Sequence, residues 1–298
     1  VTTRGIVIGA GGVTGLAWSS ATLAALEQAT GWDPREADVL LGTSQGALLA
    51  SLLACEIGTA DLTGWYRREL PDGHPLRTKP SADRPTTRRR LPVPASPLLP
   101  LRALMPPGRV PATVALSGLL PTGTRSLDAF VAPLTVLAEP DGWVPHEHTM
   151  IVAVDYDSGA RTAFGTASAP RTGVLDAVRA SCTVPGVYPA TTIGRRRYVD
   201  GGVHSTTSLD LLTPLELDEV YVLAPMAGTG SLTRRLIQRG LDSEARQVRR
   251  TGTRIHLLTP TSEDRTAMGR NPLDPRHRIA TFETALRTGP GRIAAVLP

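Results

Sequence analysis

The segment DVLLGTSQGALLA, Asp38 to Ala50, sets a short apolar run directly before a glycine-flanked serine and a second apolar run directly after it. The first run, residues 38–42, has the length and branching of a buried strand, and the second predicts a buried helix over residues 45–57. Between them Gly42-Thr43-Ser44-Gln45-Gly46 is a G-x-S-x-G pentapeptide. A strand that turns into a helix through such a pentapeptide has the context a nucleophile elbow requires. Gly42 and Gly46 let the backbone double back without Cβ clashes and leave the Ser44 hydroxyl at a helix N-terminus.

The same alternation continues on both sides. Residues 4–9 (RGIVIG) read as a strand, Gly11, Gly12 and Gly15 as a turn, and residues 16–29 as a helix with Leu23 and Leu26 at helical spacing. A further helix is expected over 60–70. Beyond residue 149 the chain predicts strands at 150–155 and 161–164 joined by a hairpin at Asp157-Ser158-Gly159, and a short helix at 175–180. An Arg-rich strand running to Val199 and strands at 220–224 and 254–259 complete the sheet, with peripheral helices at 234–250 and 278–287. Alternating strand and helix argues for an α/β fold with a largely parallel sheet.

The 298 residues read as one domain, 1–298, with a C-terminal helical and strand extension over 230–298. Residues 71–125 break the pattern. They hold 12 of the 26 prolines and the run Arg88-Arg89-Arg90, so regular elements there must be short. Leu98, Leu99, Leu101, Leu104 and Met105 are interleaved with the prolines. The segment is either a surface insertion with solvated arginines or a lid that faces lipid.

Composition excludes several classes. Apolar residues make up 41% and charged residues 20%, a balance foreign to disordered and membrane-embedded chains. Two cysteines, Cys55 and Cys182, support neither a disulfide framework nor a cysteine-rich zinc site, and no metal or cofactor is expected. The net charge of +5 comes with a single lysine, Lys79, against 31 arginines, a compositional skew that does not indicate a polyanionic partner. With only 4% aromatic residues, base stacking on nucleic acid is not expected. Attraction to anionic lipid surfaces stays compatible with the charge. The stretch at 5–28, whose one charge is Glu27, and the uncharged stretch at 39–55 are interrupted by glycines and by Thr43, Ser44 and Gln45, so a soluble, cytoplasmic protein is expected.

The glycine-rich loop Gly9-Ala10-Gly11-Gly12-Val13-Thr14-Gly15 misses the dinucleotide fingerprint, because a third glycine would have to stand at Thr14. Its free N–H groups suit an oxyanion beside a serine nucleophile. The six histidines offer no obvious general base: His256 falls within a predicted strand and His277 in a charged, Pro-flanked loop. Asp200 is the other candidate, closing an apolar strand in Tyr198-Val199-Asp200-Gly201-Gly202 after the run Ala180 to Pro189 (ASCTVPGVYP).

Four motifs in this order resemble the patatin-like phospholipase family: the glycine loop, G-x-S-x-G, A-S-x-x-x-P-x-x-Y-P and D-G-G. The resemblance leaves out the Pro-rich insertion and the last fifty residues or so. It implies a three-layer α/β/α fold and a Ser–Asp dyad without histidine. Ser44 then corresponds to the nucleophile and Asp200 to its base, with Gly11, Gly12 and the N–H of Val13 as the oxyanion loop. The implied activity is hydrolysis of fatty-acyl esters of lipids through an acyl-serine. A transacylase or thioesterase on the same dyad, and a weakly catalytic lipid-binding protein, are the alternatives. Thr14, where the family often carries Arg or Lys, Ala10 in place of glycine and Ser208 in place of asparagine depart from the family pattern.

Overall fold

Strand β1 (Arg4–Ile8) alternates cleanly, Ile6 and Ile8 toward one face and Val7 toward the other, and all three are wholly buried. It leads into helix α1 (Gly12–Thr30), then β2 (Val39–Thr43), α2 (Gln45–Ala54) and α3 (Thr59–Arg67). The computed structural model describes residues 2–77, 93–103, 110–139 and 142–297. Within the Pro-rich insertion and just beyond it lie the short helices α4 (Leu99–Ala103), α5 (Ala112–Ser117), α6 (Asp128–Val131) and α7 (Leu134–Leu137). Lys79, Arg84, Arg88, Arg89, Arg90, Leu104 and Met105 lie outside the described residues. The remainder is β3 (Thr149–Asp155), β4 (Arg161–Phe164), α8 (Val174–Cys182), β5 (Thr191–Ile193), β6 (Arg196–Asp200), β7 (Glu219–Leu223), α9 (Leu232–Arg249), β8 (Arg254–Leu258), α10 (Ser262–Met268) and α11 (Arg278–Ala294).

Among the described residues eight strands form one mixed sheet. β3, β2, β1, β7 and β8 run parallel, while β4, β5 and β6 are antiparallel to their neighbours. The Arg-rich strand expected to run to Val199 is a hairpin, β5 and β6, because Gly194 adopts φ +59° and reverses the chain. β4 occupies one edge of β3 over Ile151–Val154. β2 and β6 therefore share the opposite edge end to end, with Thr43 opposite Val152 and Asp200 opposite Ala153.

Both faces are covered. One layer packs α1, α2, α3, α8, α10 and α11 against Ile6, Ile8, Leu40, Ile151 and Leu223. The other packs Leu241, Ala245 and Val248 of α9 and the turn around Leu209 and Leu212 against Val7, Leu41, Val152 and Val222. A smaller cluster seats the insertion on the sheet, with Leu99 and Val114 against Val154, Tyr156 and Val199. This is the three-layer α/β/α arrangement. α1 and α11 touch at Ala25 and Gly289, where a Cβ on the glycine would stand 2.4 Å from the alanine Cβ. The same helices and α10 enclose a buried ion pair: Arg292 donates to Asp264 at 2.6 Å, and Asp264 also accepts from Trp18 Nε1 and the Thr288 hydroxyl. Among the described residues no helix is long and apolar enough to cross a membrane.

Candidate active site

The meeting of β2 and β6 on one strand edge determines the geometry around Ser44. β2 rises to Thr43, β6 descends to Asp200, and both chains turn off the sheet into the gap between them. Ser44 takes φ 58° and ψ −126°, a strained conformation for a residue with a Cβ. The turn is tight enough that a Cβ on Gly42 would lie 2.4 Å from the Gly46 carbonyl oxygen, and one on Gly46 would lie 1.9 Å from that of Ile8. Only glycine fits either place. Gly201 is under the same constraint, its would-be Cβ 2.5 Å from the Val152 carbonyl oxygen.

Ser44 Oγ donates to Asp200 Oδ2 at 2.6 Å, and the N–H of Gly202 donates to Oδ1 at 2.7 Å. Asp200 is 4% exposed and Ser44 6%. Burial raises the Asp200 carboxyl to about 6, against the opposing pull of the two hydrogen bonds. No histidine hydrogen-bonds to either residue among the described residues. His256 bonds to the Val296 carbonyl and stacks on Tyr221, and His277 packs against Gly269. His204, just after the two glycines, has its pKa lowered by burial and then by the Arg161 charge.

The glycine loop lies beside the serine. Gly12 has φ +61°, and its would-be Cβ lies 2.6 Å from the Pro272 carbonyl oxygen, so glycine is required on two counts. Among the described residues the N–H groups of Gly11, Gly12 and Val13 have no backbone acceptor, whereas Ala10 donates to Thr206 and Thr14 to Pro272. Gly12, Val13, Ser44, Phe130 and Tyr188 line a cavity of about 20 Å³. Val13, Phe130, Tyr188 and Leu273 also border a neighbouring chamber of about 270 Å³ floored by Leu16, Trp65 and Tyr66.

Three supporting residues escaped the sequence reading. Ser181 accepts from the Ser44 N–H at 2.8 Å and donates to the Val152 carbonyl at 2.5 Å. It stood inside the quoted A-S run, but nothing in a single sequence tells which atom it would touch. Gln45 ties the elbow to the glycine loop through its Nε2 and the Gly9 carbonyl, 2.6 Å apart. Glu244 on α9, half-buried, accepts from the hydroxyls of Ser205 and Thr207 and from the Leu209 N–H. Its carboxylate thereby fixes the loop whose Thr206 carbonyl holds Ala10. A glutamate on an amphipathic helix carries no sign of that role in sequence. Cys182 donates its thiol to the Ser44 carbonyl, and burial with the neighbouring Asp200 charge pushes its pKa up.

No curated protein matches the chain significantly in sequence. Among solved structures, VipD from Legionella pneumophila is similar over 99% of this chain and 67% of its own, at 10% identity and a TM-score of 0.46. The family model described as "Patatin-like phospholipase" matches residues 6–213, from β1 past the Asp200 glycines. That match takes in well over half of the sequence, and the chain belongs to the patatin-like phospholipase family.

Proposed function

We propose that the protein hydrolyses fatty-acyl esters of lipids through Ser44 and Asp200. Family membership supports lipid acyl hydrolysis in general. The observation that carries the finer reading is the 2.6 Å hydrogen bond from Ser44 Oγ to a buried carboxylate, beside a loop of unpaired N–H groups. An ordinary aspartate near 3.9 is a feeble base for an alcohol. At about 6 the Asp200 carboxyl is still ionised at neutral pH, yet accepts a proton more readily.

Ser44 Oγ attacks the acyl carbonyl carbon while its proton passes to Asp200 Oδ2. The carbonyl oxygen gains the negative charge and is met by the N–H groups of Gly11, Gly12 and Val13, backed by the dipole of α1. As the tetrahedral intermediate collapses, Asp200 returns the proton to the leaving alcohol and the acyl group stays on Ser44. Water then gives a proton to Asp200, adds to the acyl carbon and releases the fatty acid, restoring the serine hydroxyl. The acyl chain lies in the chamber beyond Val13 and Phe130, whose 270 Å³ holds about nine groups the size of a methylene or water at ~30 Å³ each.

Ser44→Ala tests the reading. Ester hydrolysis should fall by about 10³-fold or more with the fold intact, since covalent catalysis is lost outright. A fluorophosphonate probe should attach at Ser44. Labelling at another serine, or retained hydrolysis, would overturn the assignment.

A further inference from the structure

Behind the glycine loop, on the side away from Ser44, lies a second pocket of about 250 Å³. Gly11, Thr14, Pro225 and Pro272 form one wall, and Arg234 and Arg270 enter from the start of α9 and the segment after α10. Arg265 is adjacent: a Cβ on Gly230 would lie 3.4 Å from its Nε. Among the described residues none of these three arginines has a carboxylate within ion-pair reach. Arg234 donates to the Pro225 and Ala227 carbonyls, and Arg265 to that of Pro260. No acidic side chain lines the pocket. Elsewhere Arg4, Arg35, Arg67, Arg161, Arg276 and Arg287 each hold a carboxylate, though among the described residues Arg171, Arg235 and Arg239 do not.

Three further facts point the same way. Burial, and then the charge of Arg265, lower the pKa of Arg234, so the positive charges here repel one another without compensation. The N-terminus of the 18-residue helix α9 opens at Ser231 and Thr233, adding a positive dipole end. Thr14, wholly buried in the wall, has a hydroxyl with no hydrogen-bond partner among the described residues. Arginine forks, a helix N-terminus and a spare hydroxyl make up the donor set that a tetrahedral oxyanion uses.

We propose that this pocket binds a phosphate group, either free as a small phosphate ester or as the head group of a phospholipid. Its volume holds about eight water-sized groups at ~30 Å³ each, enough for a phosphate with a short organic tail such as glycerol phosphate. The pocket shares Gly11 and Thr14 with the glycine loop, so an occupied site stiffens the segment that faces Ser44. The proposal goes beyond the acyl-hydrolase reading and does not require it.

Binding is measured on Ser44→Ala protein, which cannot turn over an ester by the proposed route. Thermal melts compare glycerol phosphate and inorganic phosphate with chloride at matched ionic strength, and sedimentation measures retention on vesicles of phosphatidic acid against neutral phosphatidylcholine. If the ligand is a free phosphate, soluble glycerol phosphate should raise Tm by about 2 °C or more. If it is a head group, the soluble anions should do little and phosphatidic acid vesicles should retain the protein. In either case Arg270→Gln should weaken the response about tenfold, because among the described residues the Arg270 side chain makes no hydrogen bond that the change would break. Arg265→Gln is the second variant, since Arg234 also braces two carbonyls. Neither a melting shift nor vesicle retention, or responses indifferent to both variants, would overturn the site. A failed site leaves Ser44 labelling by fluorophosphonate unaffected, so the two readings fail separately.

Discussion

The hydroxyl of Ser181 stands between the backbone of Ser44 and the sheet, accepting from the Ser44 N–H and donating to the Val152 carbonyl. The strained elbow is thereby braced against the central strand from below. Ser181→Ala leaves the buried N–H of Ser44 without a partner, at a cost of about 1–3 kcal/mol. Lower Tm and a fall in kcat with little change in KM for a soluble ester are expected. Ser181→Thr, which keeps the hydroxyl, should recover part of both. A variant that melts and reacts like wild type would remove Ser181 from this role.

The Asp200 carboxyl gives two opposite pH effects. On the proposed mechanism hydrolysis needs it ionised, so kcat/KM should fall by one proton's slope as pH drops below about 6. Stability runs the other way. Between 3.8 and about 6 the folded chain keeps a proton that the unfolded chain has released, so stability decreases as pH rises through that window and stays low above it. Asp200→Asn should therefore abolish hydrolysis while raising Tm near neutral pH, by an amount corresponding to at most about 3 kcal/mol. Asparagine can still accept from Gly202 and donate to Ser44. Melts and rate profiles of the two proteins across pH check both halves.

Gly46→Ala and Gly240→Ala should move stability in opposite directions. At Gly46 the added methyl would lie 1.9 Å from the Ile8 carbonyl oxygen, so the strand or the elbow must shift, at about 3 kcal/mol or more. Gly240 sits within α9 with nothing near its would-be Cβ, and alanine there should stabilise by about 0.5–1 kcal/mol. Urea unfolding midpoints at equal m-values give the comparison. Equal effects at the two sites would mean that the elbow can relax.

Around α4 and α5 the structure exposes Leu98 (68%), Leu101 (57%), Leu116 (61%), Leu119 (50%) and Leu120 (44%). Leu120 lies against Gly186, in the loop that carries Val184 and Tyr188 to the Ser44 cavity. On the proposed mechanism this patch would meet lipid next to Ser44. Replacing Leu98, Leu101 and Leu116 by serine should lower binding to phospholipid vesicles about tenfold or more, since each leucine taken out of water contributes on the order of 1 kcal/mol. Hydrolysis of a short water-soluble ester should not change. An equal loss on both substrates would mean that the leucines support the fold.

Strands were legible because the sheet is buried on both sides and its strands read as short branched runs; those around residues 40, 151 and 221 lie within a residue or two of expectation. The ends of helices were less so. α1 begins at Gly12, four residues before the expected start, because its first turn is glycine held against Pro225 and Pro272 by close packing. α11 continues through Gly289 and Pro290 to Ala294, where sequence alone suggested a stop at 287, since the glycine is needed for contact with Ala25. Ser44 and Asp200 could be singled out by local motifs. The bracing of Ser44 by Ser181 and of the loop behind Ala10 by Glu244 could not, because those contacts join segments far apart in the chain and leave no periodic trace.

The shared edge of β3 also dictates when the protein can acquire its chemistry. A ribosome delivers Ser44 well before Asp200, and the two come within hydrogen-bond distance only after β3 has formed and both β2 and β6 have docked on it. Closing a loop of that length is among the slow, late events of folding. On the proposed mechanism the nascent chain is therefore inert toward membranes: its serine lacks a base until more than half the sequence has been made and the sheet is complete. Reactivity at Ser44 would then serve as a clock for the end of folding, readable in a stopped-flow refolding experiment from the moment the probe begins to attach.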